Sequence, residues 1–325
     1  MKDIILDVDT GIDDALALMV AAWRSDDFRI LGATTVAGNA DLKIATDNTR
    51  AVLGLVGRAD VPVAVGAARP LIRPLLIAPA FHGFLGMGEI DVADWDVPRA
   101  PLADASAAEF IARAARERPG QITLIATGPL TNVALALAMD RSLAGRLAEI
   151  VIMGGAIAVP GNASAVAEAN FHNDPEAARI VLASGAKILL VPLDVTEQVA
   201  VDRARLQRLR GAVKDKPSAT ADAAVAILEF YLNAYEEHGR IACALHDPLA
   251  VLLAARPDLT ETAEHAIEIA TADPATAGLC IVDRRPPTAL RSPPLPNVRT
   301  STRVDVEVCR ELIVEAFWAG SRRLK

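Results

Sequence analysis

Residues 4 to 14 read Ile4-Ile5-Leu6-Asp7-Val8-Asp9-Thr10-Gly11-Ile12-Asp13-Asp14. An apolar strand thus delivers four carboxylates within eight positions, at the start of an apolar helix. Like charges this close repel, and the tip of a buried strand leaves them little water, so the cluster points to a hard cation among them. The plainer reading, a strand end followed by acids at the positive end of a helix, accounts for one or two of the four. Gly11 between them implies a backbone brought close to something small. Oxygen donors with no neighbouring Cys or His favour Ca²⁺ or Mg²⁺ over zinc, and several carboxylates together with carbonyls suit Ca²⁺ better.

Around this motif, strand-like apolar runs alternate with Ala- and Leu-rich helical segments, the pattern of a doubly wound sheet. Strands are expected at Ile4 to Asp7, Ile30 to Val36, Pro62 to Val65, Ile122 to Ala126, Ile150 to Met153 and Ile188 to Val191. Helices are expected at Asp13 to Arg24, Ala40 to Val56, Ala105 to Arg118, Thr131 to Met139, Pro175 to Ser184, Ser218 to Glu237 and Pro248 to Ala255. Beyond Glu261 come strand-like pieces at Ala266 to Thr271 and Leu279 to Val282, a Pro-rich loop from Arg285 to Asn297, and a last helix from Val306 to Ala319. With 52% hydrophobic but only 4% aromatic residues, the core must be aliphatic, as in helices packed on parallel strands. The expectation is one α/β domain over residues 1–325: an open, mostly parallel, doubly wound sheet flanked by helices, with extra C-terminal strands and a helix.

A formal charge of -8 argues against a nucleic-acid backbone or an anionic membrane as partner. Gln121 to Met139 is a long uncharged stretch, but Gly128-Pro129 splits it, so strand, turn and helix explain it better than a membrane span. Met1-Lys2-Asp3 leads directly into a strand without a signal-peptide pattern, which sets a cytoplasmic location as the default expectation. Cys243, Cys280 and Cys309 lie far apart without metal-type spacing and read as core thiols.

Ligands of open α/β sheets sit beyond the carboxyl ends of the strands. Four polar clusters fall there: Asp7 to Asp14, Gly38-Asn39, Thr127-Gly128 and Gly154 to Asn170. A fifth, His246-Asp247, opens the helix at Pro248. By spacing alone Asp247 is a helix cap, because Asp before Pro is a common helix start that recurs at Asp174-Pro175 and Asp273-Pro274. Asn162, Glu168 and Asn170 form either an ordinary polar loop or partners for a polyhydroxylated ligand. His82 reads equally as a packed loop histidine, Tyr231 and Tyr235 as a helical core pair, and His172, His238 and His265 as structural.

Taken in order, these motifs resemble the nucleoside hydrolases, the inosine-uridine-preferring family that cleaves the N-glycosidic bond of ribonucleosides. The family fingerprint Asp-Thr-Asp-Pro-Gly-x-Asp-Asp corresponds to Asp7-Val8-Asp9-Thr10-Gly11-Ile12-Asp13-Asp14. Further matches are Val36-Ala37-Gly38-Asn39, Thr127-Gly128-Pro129-Leu130-Thr131-Asn132, Met153-Gly154-Gly155, Asn162 with Glu168 and Asn170, Asn173-Asp174-Pro175-Glu176-Ala177, and His246-Asp247-Pro248. Thr10 departs from the usual Pro, and Ala169 stands where an aromatic is often found. A partial likeness to aspartyl phosphatases of the haloacid dehalogenase type, and a non-catalytic nucleoside- or ribose-binding role, are the rival readings.

By resemblance, Asp9, Asp14, the Thr127 carbonyl and Asp247 hold one Ca²⁺ that orients the ribose 2′- and 3′-hydroxyls and a nucleophilic water. Asp9 is then the general base, with Asn39 helping to hold the water. Asp13 and Asn170 bind ribose hydroxyls, Asn162 and Glu168 reach the 5′-hydroxyl, and Met153 packs against the sugar. The leaving base must be protonated or hydrogen-bonded, for which a histidine of near-neutral pKa is the natural donor; His246 and His82 are the candidates. A homodimer or homotetramer acting on small ribonucleosides is the expected assembly.

Overall fold

The computed structural model describes residues 1–285 and 294–318. Its first six strands are β1 (Lys2–Val8), β2 (Phe28–Thr35), β3 (Val63–Val65), β4 (Ile122–Ala126), β5 (Glu149–Met153) and β6 (Ile188–Val191). They lie in the order β3-β2-β1-β4-β5-β6, all parallel. The sheet continues with Val298–Val304, parallel to β6, and ends on Thr260–His265, antiparallel to it. Of two short antiparallel pairs, Ile267–Ile269 with Cys280–Val282 answers to the expected C-terminal strands, whereas Ala200–Asp202 with Ala242–Ala244 lies outside the expectation.

Alternation along β1 sorts its side chains between two helical layers. Ile4, Leu6 and Val8 join the core formed with the helices Ile12–Trp23 and His246–Ala255; Ile5 joins the opposite one, with Ala107–Glu117, Thr131–Met139 and Pro175–Leu182. Burial on both faces explains why β4 to β6 read as mostly aliphatic runs rather than alternating ones. The order in which strands are added reverses at β1, which has β2 on one side and β4 on the other. The carboxyl ends of β1 and β4 therefore flank the crevice where ligands of such sheets bind.

The strands Thr260–His265 and Val298–Val304 and the helix Arg203–Asp215 lie outside the sequence expectation, because apolar residues are sparse in all three. Val298-Arg299-Thr300-Ser301-Thr302-Arg303-Val304 is polar between its ends, Thr260–His265 has no buried residue, and only Leu206, Leu209 and Val213 of the helix are buried, set among charged residues. Elsewhere the expected elements are found with ends shifted by a few residues; the helix expected from Ala40, for instance, spans Leu42–Leu55 behind Asp41. In the Pro-rich loop residues 286–293, and in the last helix the expected end at Ala319, lie outside the described residues; that helix is described as Val306–Ala316. Cys243, Cys280 and Cys309 are free and buried, as expected. Among the described residues no helix is long and apolar enough to cross a membrane.

Candidate active site

The chain leaves β1 at Val8, so Asp9 stands just past the strand and Asp13 and Asp14 in the first turn of the next helix. Asp247 arrives from the far end of the sequence, in the first turn of His246–Ala255. The cap at that helix is Leu245, with no side-chain hydrogen bond, so Asp247 does not serve as the cap its spacing suggested. Asp13, Asp14 and Asp247 instead converge, each offering a buried carboxylate oxygen, all within 4.8 Å of one another. Asp7 parts from this group because the strand period turns it to the Ile5 face. There its Oδ1 accepts from Thr34 Oγ1 at 2.5 Å and Asn132 Nδ2 at 2.8 Å, and burial pushes its pKa up to about 6.

Donors fix the acids unequally. Asp14 accepts from Thr127 Oγ1 at 2.7 Å, Gly11 N–H at 3.0 Å, Asn39 Nδ2 at 3.1 Å and Asp9 N–H at 3.3 Å. Asp9 Oδ2 accepts the Asn39 N–H at 2.6 Å, whereas Asp9 Oδ1 and Asp13 Oδ1 are buried without a hydrogen-bond partner. Burial and then the charge of Asp14 raise both acids, Asp9 well above the usual carboxylate range and Asp13 to about 7. Asp247 is raised well above it too, by burial first and then by Asp13, Asp14 and Asp9. Orphaned buried oxygens in an all-oxygen set are what a hard divalent cation neutralises, so these residues fit such an ion. Gly38 is required here, because a Cβ would stand 2.1 Å from Asp9 Oδ2. The small thing Gly11 accommodates is the His82 ring, whose Nδ1 would lie 2.5 Å from an added Cβ.

Asn170 closes another side. Its Nδ2 donates to the Thr127 carbonyl at 2.6 Å and the Met153 carbonyl at 3.2 Å, which ties the ends of β4 and β5 together. Met153 is itself buried. Glu168 holds Asn170 in place from beneath: it caps Ala169–Asn173 by accepting from the N–H groups of Asn170, Phe171 and Gly155. Asn162 is exposed, and its Oδ1 accepts the Ala169 N–H at 2.9 Å. A cleft of about 220 Å³ opens over Asp9, Asn39 and Asn170 and runs to Ala163, Ala169 and His172, without Asn162 or Glu168 in its wall. His172, read from sequence as structural, thus reaches the site; only its place two residues after Asn170 could have signalled that.

Aromatic and histidine side chains form the remaining edge. His82 Nδ1 accepts the Ile12 N–H at 3.1 Å, so the neutral ring carries its proton on Nε2. His246 Nε2 meets Tyr235 OH at 3.2 Å, Tyr235 OH meets Tyr231 OH at 3.4 Å, and Thr196 Oγ1 sits 2.8 Å from His246 Nδ1. Burial drives His82 down to about 3 and His246 to about 4, aided by the charge of each ring's neighbour, His246 and Arg240 respectively. Both shifts favour the neutral form of the ring. Tyr231 and Tyr235 are buried as a core pair would be, yet their hydroxyls connect to the histidine; both are raised by burial, with Asp13 a further cause. Trp23, Trp95 and Trp318 pack on the hydrophobic core.

An acid cluster at the switch point of a doubly wound sheet, rimmed by neutral histidines, defines a hydrolase-type site with room for a small polar ligand. The family model for inosine-uridine preferring nucleoside hydrolases matches residues 4–319, and the chain belongs to that family. It is 35% identical over 322 residues to a probable uridine nucleosidase 2 of Arabidopsis thaliana, covering 97% of each chain. It is 36% identical over 314 residues to the pyrimidine-specific ribonucleoside hydrolase RihA of Salmonella arizonae, covering 96% of this chain and 97% of that one. Among solved structures it is similar to a plant nucleoside hydrolase, the PpNRh1 enzyme, with a TM-score of 0.87 and 32% identity over 97% of this chain and 98% of that one. A purine-preferring ribonucleoside hydrolase from Gardnerella vaginalis also superposes with a TM-score of 0.87, at 30% identity over 99% and 100% of the two chains. The chain is a nucleoside hydrolase, and the likeness to aspartyl phosphatases stays confined to the spacing of Asp7 and Asp9.

Proposed function

We propose that this enzyme hydrolyses the N-glycosidic bond of ribonucleosides in a Ca²⁺-dependent reaction, with uridine the leading substrate and inosine next. The observation that carries the reading is the convergence of Asp13, Asp14 and Asp247 beside the unpartnered Asp9 Oδ1. Asp9, Asp14, Asp247 and the Thr127 carbonyl would hold the ion, the carbonyl through the lone pair that Asn170 does not use. When bound, the ion supplies a positive centre that orients vicinal hydroxyls and acidifies a coordinated water.

Asp9 accepts the proton of the water that attacks C1′, with Asn39 fixing one of its oxygens and the other left unpartnered. Asp13 and Asn170 hold ribose hydroxyls, and Met153 packs on the sugar. The carboxylates stabilise the positive charge that ribose gains as the C1′–N bond lengthens. On the opposite side His82, through Nε2–H, and the Tyr231–Tyr235–His246 chain donate to the departing base. The preference for uridine is supported by the name of the Arabidopsis relative and, for pyrimidines generally, by that of the Salmonella one; inosine follows from the name of the family. A reducing-sugar assay over uridine, cytidine, inosine and adenosine, with chelator and then Ca²⁺ add-back, tests the reading. Ribose release that stops with chelator and returns with Ca²⁺ is expected; no release from any of the four, or release indifferent to chelator, overturns it.

A further inference from the structure

The acids and His82 stand on two separate loops. Asp9, Asp13 and Asp14 follow the strand Lys2–Val8, whereas His82 ends the short helix Pro79–His82 and leads into Gly83 to Gly88. The acid loop is fastened at many points. Asn39 donates to both Asp9 and Asp14, Thr127 and the Gly11 N–H donate to Asp14, and Thr10 Oγ1 lies 2.6 Å from Thr49 Oγ1. The histidine loop is held mainly to itself, by bonds from Gly83 N–H to Pro79, Gly86 N–H to Gly83 and Gly88 N–H to His82. Among the described residues, two side chains fasten it to the acid loop. One is His82 itself, whose Nδ1 accepts the Ile12 N–H. The other is Asn48, 2% exposed in the helix Leu42–Leu55, which has no place in the chemistry above. Its Nδ2 donates to the Thr10 carbonyl at 3.1 Å and to the Leu85 carbonyl at 2.9 Å, so one amide nitrogen spans both loops. Gly86, at a φ of 76°, packs so close that a Cβ there would stand 2.9 Å from this nitrogen.

We propose that Asn48 is a positioning residue, which holds the His82 loop against the acid loop so that His82 Nε2–H meets the departing base. This rests on the nucleoside-hydrolase reading above and names the group that joins the two halves of its site. The task calls for an amide. Two carbonyls need two donor hydrogens on one atom, which an amide nitrogen has, a hydroxyl has only in part and a carboxylate lacks. Loss of Asn48 leaves the acid loop its bonds to Asn39, Thr127 and Thr49, but leaves the far side of the histidine loop without its tie at Leu85. The damage therefore falls on departure of the base, while sugar binding and attack by water are spared.

The experiment measures kcat and KM of Asn48→Ala on uridine and on p-nitrophenyl ribofuranoside, whose phenolate departs without needing a proton. On uridine, kcat should fall about 10–100-fold with KM within about threefold of the wild type. On the riboside, kcat should stay within about threefold. Equal falls on the two substrates, a change confined to KM, or no change overturns the proposal. A double-mutant cycle on uridine reads the same coupling: added to His82→Ala, the Asn48→Ala change should cost less than about threefold, and a loss as large as in the wild-type background overturns it. Circular dichroism checks folding, and if Asn48→Ala is unfolded, Asn48→Ser goes through both measurements with the same outcomes expected, at the smaller end of the range on uridine. Wild type that cleaves uridine but not the riboside leaves the cycle to decide; wild type that cleaves neither defeats the nucleoside-hydrolase reading instead.

Discussion

Replacing Asp247 with Asn should raise the melting temperature of the chelated protein and abolish the further rise expected of the wild type on adding Ca²⁺. Two full charges 4.8 Å apart repel by about 3.5 kcal/mol at an effective dielectric of 20, so neutralising Asp247 beside Asp13 and Asp14 recovers about 2–4 kcal/mol once partial protonation is allowed for. At ~2.1 cal/mol/K per residue, the unfolding entropy of 325 residues is ~0.7 kcal/mol/K, so the chelated variant should melt about 3–6 °C higher. In the wild type, Ca²⁺ at a hundred times its Kd contributes about 2.7 kcal/mol, or about 4 °C, and the variant should lose this together with the calorimetric binding signal. Differential scanning calorimetry in chelator and in excess Ca²⁺ reads both effects. A helix cap behaves differently: Asn replaces Asp there with almost no change, and only Ala costs about 1 kcal/mol. Asp247→Asn melting within about 1 °C of the wild type in chelator, with the Ca²⁺ shift intact, would refute the assignment of Asp247 to the ion.

Asp9→Asn should reduce kcat by about 10²–10⁴ with an unchanged circular dichroism spectrum, because it removes the base while keeping the bond from Asn39. Tyr235→Phe cuts the link to His246 and should lower kcat about tenfold with KM little altered, read by steady-state kinetics on uridine. Asp174→Ala removes the cap on Ala177 N–H and the bonds to Leu71 N–H and Thr131 Oγ1; a loss of about 2–4 kcal/mol is expected from urea unfolding. Asp7 has its pKa raised from 3.8 to about 6 by burial, so its contribution to stability is whole below pH 3.8 and is lost as pH rises through 6. Asp7→Asn should therefore gain on the wild type across that window, by up to about 3 kcal/mol, and keep the Ca²⁺ shift. A parallel pair of stability curves from pH 4 to 7 would contradict this.

The parallel half of the sheet was legible because burial on both faces writes itself as contiguous aliphatic runs, and β4 and β6 come out with the residue bounds expected of them. The far edge was not, because its strands are held by polar contacts. Thr260–His265 has no buried residue, and Arg299 in Val298–Val304 reaches Glu149 on β5. Such a strand carries no hydrophobic period for a local reading to detect, and only pairing with β6 makes it one.

The site divides along a similar line, between roles that local spacing encodes and roles that only the assembled fold does. Asp174-Pro175 and His246-Asp247-Pro248 look alike in sequence, and a capping rule treats them identically. Asp174 is the cap it looks like, with Oδ1 on Ala177 N–H, but His246–Ala255 begins two residues before Pro248, which moves Asp247 off the cap position and into the acid cluster. The reverse happens at Asp7, which spacing places with the other three acids and the strand period removes to the opposite layer. His172 departs from its expectation in the same way: it lines the cleft from the short helix that Glu168 caps. A two-residue offset at a helix end decides whether a carboxylate caps the helix or joins the acid cluster, and that offset is set by packing against elements far away in the sequence.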